Sequence, residues 1–421
     1  MAGHALAQLD PPERRRLNPL AGKLIARGLG AAAVGFLVLA VLWLIGGAYG
    51  LERVLYAYLA NFAFFFSISI GGVFFVLIHF LCRTGTVTTY RRIGEIIAAT
   101  TPIMAIFVIP ILLGVGAVYH WSHATVADGY SESKLDYLSG GWFAVRVILG
   151  VGLLSWMGWY FFSRSRRQDE SADPKITLRL QGISGPAIIV YAFMVTLLSF
   201  DLLMSLDSHW YSTIFGVYYF AGGFMALHCL LALGIHRLQE RGLLRSSVNA
   251  EHFHDIGKMM FAFVVFWAYI GFSQYMLIWY AAIPEETVWY MRHGAGFGDG
   301  VVAGSPFPVL LLVLLLGHFV IPFVGLLSRE VKRRPARLAR WAVWLLVMHW
   351  LDMIWLVRPE LRLADGVTTL AVNWVDMLAL IAGLLALGGV FLAALAKVGS
   401  NVSLVAQNDP RLVEAMVFEN F

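Results

Sequence analysis

The chain has 421 residues, of which 59% are hydrophobic and only 14% are charged, and its mean hydropathy is +0.73. Soluble proteins are about one-quarter charged, so this composition excludes a soluble globular protein. The net charge of +5 could indicate an acidic partner, but in a membrane protein it more often reflects basic cytoplasmic loops. The two cysteines exclude a disulfide framework and a four-thiolate cluster, and the chain contains no C-x-x-C-H sequence for haem attachment.

Ten apolar segments follow one another along the chain, each long enough to cross a bilayer about 30 Å thick. The predicted spans are 24–46, 56–82, 96–117, 142–163, 182–205, 212–236, 256–281, 306–327, 337–357 and 373–397. They predict an all-α integral membrane protein whose loops are too short for a separate catalytic domain. The transmembrane domain, 24–397, lies between an N-terminal arm, 1–23, and a C-terminal tail, 398–421.

The distribution of Lys and Arg residues among the loops supports ten spans. Of the 31 Lys and Arg residues, 25 fall on the arm, the tail and the alternate loops that share their side of the membrane. Cytoplasmic loops carry such an excess of Lys and Arg, and one miscounted span would break the alternation. Both termini are therefore predicted to be cytoplasmic. The first apolar segment is full length and follows a polar arm, so no signal peptide is predicted.

The segments outside the spans are expected to lie on the membrane surface or on other proteins. The arm contains three prolines and is predicted to run extended along the membrane or a neighbouring subunit. The tail is too short to fold alone and is expected to dock on a partner. Three outer loops, 118–141, 282–305 and 358–372, are rich in Trp, Tyr and Gly. The aromatic residues expected to anchor these loops at the membrane interface are Trp121, Tyr130, Tyr137, Trp289 and Tyr290.

Ionisable residues inside the spans need an explanation, because each costs about 2.5–3.5 kcal/mol at the centre of a bilayer. They cluster on the fifth to ninth spans and lie at different depths, as a path of proton hops requires. One group lies at the cytoplasmic mouth of the seventh span, others lie within the helices, and one lies towards the outer side. The candidate proton-pathway residues are Asp201, His228, His254, Asp255, Lys258, His318, His349 and Asp352.

His349 and Asp352 are three residues apart and therefore project from one face of the ninth helix. An imidazole beside a carboxylate can pass or store a proton near neutral pH. The alternative interpretation is a hydrogen bond that holds neighbouring helices together. His318 lies four residues before Pro322, which leaves the carbonyl of residue 318 without its helical donor and favours a kink beside a polar cavity.

Several other polar residues are given less specific interpretations. His79 and His228 could serve as axial haem ligands, but the spacing does not show the paired histidines of a di-haem cytochrome b. His252, His254 and Asp255 could bind a metal, although a solvated or proton-collecting helix mouth is the better interpretation. Asp207 and His209 lie in a short outer loop and are expected to be solvated. No metal ligand set is therefore assigned.

Four stretches of the chain together resemble one family. They are DLLMSLDSHWYSTIFGVYYFAGG (Asp201 to Gly223), HDIGKMMFAFVVFWAYIGFSQYMLIWYAAIPEE (His254 to Glu286), HFVIPFVGLLSR (His318 to Arg329) and HWLDMIWLVRP (His349 to Pro359). These stretches resemble the F subunit of bacterial alternative complex III, a quinol:electron-acceptor oxidoreductase of respiratory membranes. They lie on the fifth to ninth spans, whereas the first half of the chain matches in hydropathy more than in motif.

The resemblance has consequences for fold, cofactors and partners. It implies two four-helix bundles plus two flanking helices, as in the related integral subunits of polysulfide-reductase-type enzymes. It implies no cofactor in this chain, with c-type haems and iron–sulfur clusters on partner subunits. The implied partners are a paralogous C subunit, an iron–sulfur B subunit, multihaem cytochrome c subunits and small membrane subunits, with no nucleic acid. The implied location is the cytoplasmic (inner) membrane of a bacterium, and the better-supported quinone pocket belongs to the C subunit.

Three functions remain open from the sequence. The first is a cofactorless subunit of such a redox complex, not catalytic alone, that contributes a proton pathway and structural support. The second is a secondary transporter with a substrate site near the midplane, although the matched pair of broken helices typical of transporters is not found. The third is a scaffold whose buried polar residues only specify packing. The sequence leaves open whether this chain itself contacts quinone.

Overall fold

The computed structural model describes residues 9–296, 305–361 and 372–419. Within these ranges it contains ten helices long and apolar enough to cross a membrane, and one isolated β-bridge but no strand. We number them in chain order as α1 (Asn18–Ile45), α2 (Gly50–Leu81), α3 (Thr88–Leu113), α4 (Gly140–Ser171), α5 (Pro174–Leu202), α6 (Phe215–Glu240), α7 (Ala250–Ala281), α8 (Phe307–Leu327), α9 (Pro335–Val357) and α10 (Trp374–Gly399). The predicted all-α membrane protein is confirmed.

Short helices connect these spans or cover their ends. The short α-helices are Val115–Val118, Glu132–Leu138, Pro284–Arg292, Arg329–Arg333 and Leu412–Met416. The 3-10 turns are Pro12–Arg15, Gly47–Tyr49, His120–His123, Val126–Asp128, Met204–Leu206 and Arg358–Glu360. The predicted outer loops 282–305 and 358–372 lie partly outside the described residues.

The helices form two four-helix groups with two flanking helices, as the resemblance implied. In the first group α2 packs against α3 and α5, and α4 packs against α3 and α5. In the second group α6 packs against α7 and α9, and α8 packs against α7 and α9. Helix α2 also contacts α6, α9 and α10, whereas α1 packs mainly against α10. Helices α2 and α6 are the most buried spans, so the core of the protein lies where the two groups meet.

Helix α3 begins eight residues before its predicted start at residue 96. Charged residues in its first turns lower the local hydropathy, so the predicted span begins too late. Arg91 and Arg92 were predicted to lie in a cytoplasmic loop, but both lie on the helix and are buried. Each forms a salt bridge with the buried carboxylate of Glu95, at 2.9 and 3.1 Å. Arg91 also binds Asp409 of the tail at 2.6 Å, and Arg92 binds Asp169 of α4 at 2.9 Å. The charges therefore neutralise one another inside the protein.

The arm and the tail pack on this chain's own inner face. Arg16 and Ser403 form the antiparallel bridge, so residues near both termini lie on the same side of the protein. Asp10 is buried, and it accepts a hydrogen bond of 2.8 Å from the backbone N–H of Ser247 in the α6–α7 loop. The described residues of the arm thus contact an inner loop, and the tail contacts this chain; their predicted contacts with the membrane or with partners stay predictions.

Helices α1 and α10 contact each other through glycine and alanine, which let two backbones approach closely. A Cβ placed on Gly28 would lie 2.6 Å from the carbonyl oxygen of Gly389 and 2.9 Å from the backbone nitrogen of Ala393. Two residues later on the same helix, a Cβ on Gly30 would meet no atom within 4 Å. The contact therefore depends on the absence of a side chain at Gly28.

We expect Gly28→Leu to separate α1 from α10, because the leucine side chain would overlap the α10 backbone, which cannot move aside as a side chain can. Overpacking of this kind costs about 1–3 kcal/mol or more. The measurement is thermal unfolding of the purified protein in detergent, with Gly30→Leu as the matched control on the same helix. Equal midpoints for the two variants would contradict the prediction.

Candidate functional site

A buried carboxylate lies between the helices of the second group. Asp352 of α9 is fully buried, and its two oxygens accept hydrogen bonds from different helices. The Tyr218 hydroxyl of α6 donates to Oδ1 at 2.5 Å, and the Trp267 indole N–H of α7 donates to Oδ2 at 3.0 Å. Within the described residues no Lys or Arg forms an ion pair with this carboxylate. Asp352 is thus held by two neutral donors, an arrangement that can accept a proton without breaking a salt bridge.

His349 lies one turn before Asp352 on the same face of α9. Its Nε2 lies 2.9 Å from the hydroxyl oxygen of Ser67 in α2, and that hydroxyl lies 2.7 Å from the carbonyl oxygen of Phe64. Because the hydroxyl donates to the carbonyl, Nε2 carries the imidazole proton and Nδ1 has the lone pair. Nδ1 lies 3.9 Å from Asp352 Oδ2, which is too long for a direct hydrogen bond. A water molecule can bridge groups at such a separation.

His318 of α8 completes the group of polar side chains. Its ring packs against that of Trp267 at an angle of 37° with centroids 3.9 Å apart, and it lies 6.4 Å from the ring of His349. Leu315–Val320 form a π-helical turn instead of an α-helical one, where Pro322 leaves the carbonyl of His318 without its usual donor. Both ring nitrogens are buried without a hydrogen-bond partner in the described part of the chain. We call Ser67, Tyr218, Trp267, His318, His349 and Asp352 the inner cluster.

Gly222 of α6 makes room for His349. A Cβ built on Gly222 would lie 2.7 Å from His349 Cε1 and 2.8 Å from its Nδ1, closer than side-chain atoms normally approach.

We expect Gly222→Ala to push the imidazole away and break its hydrogen bond to Ser67. The predicted loss is about 1–3 kcal/mol of stability, and thermal unfolding measures it. Gly234→Ala on the same helix meets open space and is the control; equal stability of the two variants would contradict the prediction.

The predicted cytoplasmic residues lie together on the first turns of α7. Asn249 caps this helix and accepts hydrogen bonds from the backbone N–H groups of Glu251 and His252. Asp255 and Lys258 form a partly exposed ion pair at 2.6 Å. The side chain of His254 is buried, and its Nδ1 has no hydrogen-bond partner among the described residues. These residues therefore surround the inner end of α7, where the sequence analysis placed them.

His228 does not join the inner cluster. Its ring packs edge-on against Phe224 at 4.5 Å and Phe75 at 5.8 Å, and its Nδ1 lies 2.8 Å from the Phe224 carbonyl oxygen. It lies six residues beyond Gly222, which contacts His349, and this spacing corresponds to about 9 Å along a helix. Aromatic side chains therefore separate His228 from His349 in this conformation. A continuous proton path would need water or movement of those rings.

Asp201, the predicted outer member of the path, is engaged elsewhere. It is buried at the outer end of α5, and the Arg146 guanidinium of α4 donates to its carboxylate at 2.8 Å. The Arg146 guanidinium also lies over the ring of Tyr137, 3.8 Å from its centroid. This ion pair joins two helices of the first group, whereas the inner cluster is built mainly from the second group. The structure therefore does not bring Asp201 into contact with Asp352.

A second set of buried charges lies at the outer ends of α6, α7 and α9. Asp207 was expected to be solvated, but it is buried and forms a salt bridge with Arg292, which also binds Glu360 at 2.9 Å. His293 is fully buried beside Glu360, and burial lowers its pKa to about 3. Its Nδ1 lies 2.7 Å from the carbonyl oxygen of Trp289. These contacts fix the described part of the α7–α8 loop.

Four of the five predicted interfacial anchors are buried in the protein instead. Trp289 stacks on Trp210 with centroids 4.1 Å apart, and Tyr290, Trp121 and Tyr130 are also buried. Aromatic residues in an outer loop can fill a protein core as well as a membrane interface, and hydropathy does not separate the two. The fifth predicted anchor, Tyr137, is exposed.

An apolar cavity of about 460 Å³ adjoins the inner cluster on its outer side. Tyr218 and Trp267, the two donors to Asp352, form part of its wall. Gln274 and Tyr290 supply polar groups at another part of the wall and are hydrogen-bonded to each other at 3.1 Å. Phe272, also in the wall, is largely exposed on the outside of α7. The cavity has the size and lining of a small-molecule site.

The structure also bears on the metal and haem interpretations. Within the described ranges, no group of three or more His, Cys, Asp or Glu side chains is arranged to hold a metal ion. His252, one of the three proposed metal ligands, instead contacts the tail, where its Nε2 lies 3.0 Å from the Ala415 carbonyl oxygen. His79 and His228 both pack against the ring of Phe75, which contacts the His79 ring at a centroid distance of 4.3 Å and the His228 ring at 5.8 Å.

Ser67 and Trp267 were not among the predicted site residues, and Tyr218 had no predicted role. Ser67 follows three phenylalanines and gives no sign of its position, and Trp267 is one of 14 tryptophans. Tyr218 lies in one of the four resembling stretches and could have been chosen as a hydroxyl donor inside a span. No known family model matches the chain, and no curated protein matches its sequence. The resemblance to the F subunit therefore rests on the four stretches alone.

Proposed function

We propose that this chain is an integral subunit of a bacterial quinol-oxidising respiratory complex and transfers protons through the second helix group. The observation that carries the proposal is the buried Asp352 carboxylate, held by Tyr218 and Trp267 without a cationic partner, with the imidazole of His349 on the same helix face. A buried carboxylate paired with Arg or Lys would be fixed in its ionised form. Asp352 lacks that constraint and can alternate between carboxyl and carboxylate.

The proposed transfer step lies between Asp352 and His349. A protonated Asp352 gives its proton to a bridging water, which passes a proton to the lone pair of His349 Nδ1. The imidazolium then releases a proton to the next acceptor on the path, and Asp352 is reprotonated from the other side. The 3.9 Å separation suits one intervening water or a small shift of either side chain. His254 and the Asp255–Lys258 pair would collect protons at the cytoplasmic mouth of α7. Asp201 would act in the outer half only if its pair with Arg146 opened.

In this function, other subunits carry out the electron transfer. Oxidising a quinol releases two electrons, and the sequence of this chain offers no haem-attachment motif or thiolate set to take them. The proposed partners are proteins that carry c-type haems and iron–sulfur clusters, together with a paralogous membrane subunit in the inner membrane. This chain then supplies the proton path and structural support, and it has no quinol oxidation activity alone.

The test is purification from native membranes in mild detergent with a tag on this chain. We expect c-type haem and iron–sulfur signals to co-purify, and we expect the preparation, but not the separated chain, to oxidise quinol. A chain that purifies without redox subunits would overturn the assignment to a respiratory complex.

One observation favours a second candidate, a secondary transporter with a site near the midplane. Tyr218 and Trp267 line the 460 Å³ cavity and donate hydrogen bonds to Asp352. A substrate bound in the cavity would therefore change how readily Asp352 binds a proton. Coupling of this kind is how a proton gradient can drive substrate movement. Substrate uptake by proteoliposomes that contain only this chain would support the transporter, whereas co-purified redox subunits favour the respiratory complex.

A further inference from the structure

Four basic side chains surround a cleft at the inner ends of α4 and α5. Its volume is about 150 Å³, room for about five water molecules. Its basic side chains are Arg164, Arg167, Lys175 and Arg179. Two come from the last turns of α4 and two from the first turns of α5, so the hairpin between these helices brings them to one place.

These cations have no acidic partner within the described structure, unlike several other basic residues at the inner face. Arg91 and Arg92 are neutralised by Glu95, and Arg333 pairs with Glu251. One carboxylate, that of Asp173, also lines the cleft, but its Oδ1 accepts a hydrogen bond of 2.9 Å from the backbone N–H of Lys175 as the cap of α5. Four positive charges against one negative charge give the cleft a net positive potential.

The cleft lies where the apolar surface of α4 ends. Trp156 is largely exposed on the outer surface of the helix, and it stacks on Tyr160 with centroids 5.4 Å apart. The Arg164 guanidinium lies over the Tyr160 ring, 5.3 Å from its centroid. Ile176 and Leu180 supply apolar parts of the wall. Aromatic residues at this level mark the membrane–water interface, so the basic groups lie at the depth of lipid headgroups.

We propose that this cleft binds an anionic phospholipid of the cytoplasmic leaflet. The phosphate contacts the basic side chains, and an acyl chain follows the exposed aromatic surface of α4. The charge distribution of the loops places this end of the helices on the cytoplasmic side, where anionic lipids give the membrane a negative surface potential. A soluble phosphate would use the same charges but not the apolar wall, so the combination favours a lipid.

The experiment measures lipid binding to the full-length protein by native mass spectrometry, with any subunits that accompany it. Dioleoyl phosphatidylglycerol and dioleoyl phosphatidylcholine are titrated separately, and the first is repeated with excess inorganic phosphate. Each basic side chain near a membrane contributes about fivefold to the affinity for anionic lipid. We therefore expect Arg167→Gln/Arg179→Gln to weaken phosphatidylglycerol binding about 25-fold and to leave phosphatidylcholine unchanged.

The matched control removes two other exposed inner arginines, Arg241→Gln/Arg340→Gln, and should change binding less than twofold. If the double variant does not fold, Arg179→Gln alone should weaken binding about fivefold. Unchanged phosphatidylglycerol binding in the cleft variants would overturn the proposal, as would an equal loss in the control. Full displacement of the lipid by inorganic phosphate would also overturn it, because the site would then recognise a free anion.

Discussion

Replacing Asp352 with asparagine is expected to reduce the protons moved per quinol to those that quinol oxidation itself releases. Asparagine keeps the shape and can still accept the hydrogen bond from Tyr218, but it cannot titrate. Its NH2 group would face the Trp267 N–H, which is also a donor. The hydrogen bond from Trp267 is then lost, at a cost of about 1–3 kcal/mol in stability. The measurement is quinol-driven pH change in proteoliposomes that contain the purified complex, together with its electron-transfer rate.

Two controls separate proton transfer from packing. Tyr218→Phe removes one hydrogen bond but leaves the carboxylate, so proton transfer should persist with altered rate. Asp136→Asn changes an exposed outer carboxylate and should have no effect. If Asp352→Asn and His349→Ala both assemble normally and keep the full proton stoichiometry, the inner cluster is structural, and the interpretation as a hydrogen-bonded helix contact is correct.

Glu95→Ala is expected to cause the largest loss of stability. Glu95 is fully buried and contacts two guanidinium groups, those of Arg91 and Arg92, and also accepts a hydrogen bond of 2.9 Å from Ser165. Removing the carboxylate leaves these buried cations with one acidic partner each. Breaking a buried ionic group by deleting one member costs about 3–5 kcal/mol. Thermal unfolding in detergent and the yield of folded protein measure the effect.

The comparison for Glu95→Ala is Glu330→Ala, which removes a carboxylate from an exposed pair with Arg334 on the same side of the protein. Exposed pairs contribute little, so this control should unfold close to the wild-type temperature. Similar losses in both variants would mean that the Glu95 network is as weak as a surface ion pair and would contradict the prediction.

The ten spans could be predicted because membrane insertion depends on the length and apolarity of each segment, which are local properties of the sequence. The prediction failed where buried charges compensate one another. Helix α3 begins at Thr88 with Arg91 and Arg92 inside it, and one compensating partner, Asp409, is 318 residues away. A hydropathy profile weighs each residue alone, so it assigns these arginines to a loop. The same reason explains why Asp207, paired with Arg292, was expected in solvent.

The inner cluster could be predicted only where its members share a helix. The spacing of His349 and Asp352 placed both on one face, and the structure agrees. Their other partners come from different helices: Trp267 is 85 residues from Asp352, and Ser67 is 282 residues from His349. Nothing local distinguishes that serine or that indole from many others in the chain. The packing of the helices brings these residues together, and one sequence does not show which helix faces contact each other.

The close contact between α1 and α10 has a consequence for the synthesis of this protein. A ribosome delivers α1 before α10, so the surface of α1 at Gly28 lacks its α10 partner until the eight spans between them have been made. Arg91 likewise lacks its partner Asp409 until 318 further residues have been made. Both contacts therefore form only after α10 and the segment with Asp409 have been made, so α1 and the inner end of α3 reach their native packing later than the spans between them.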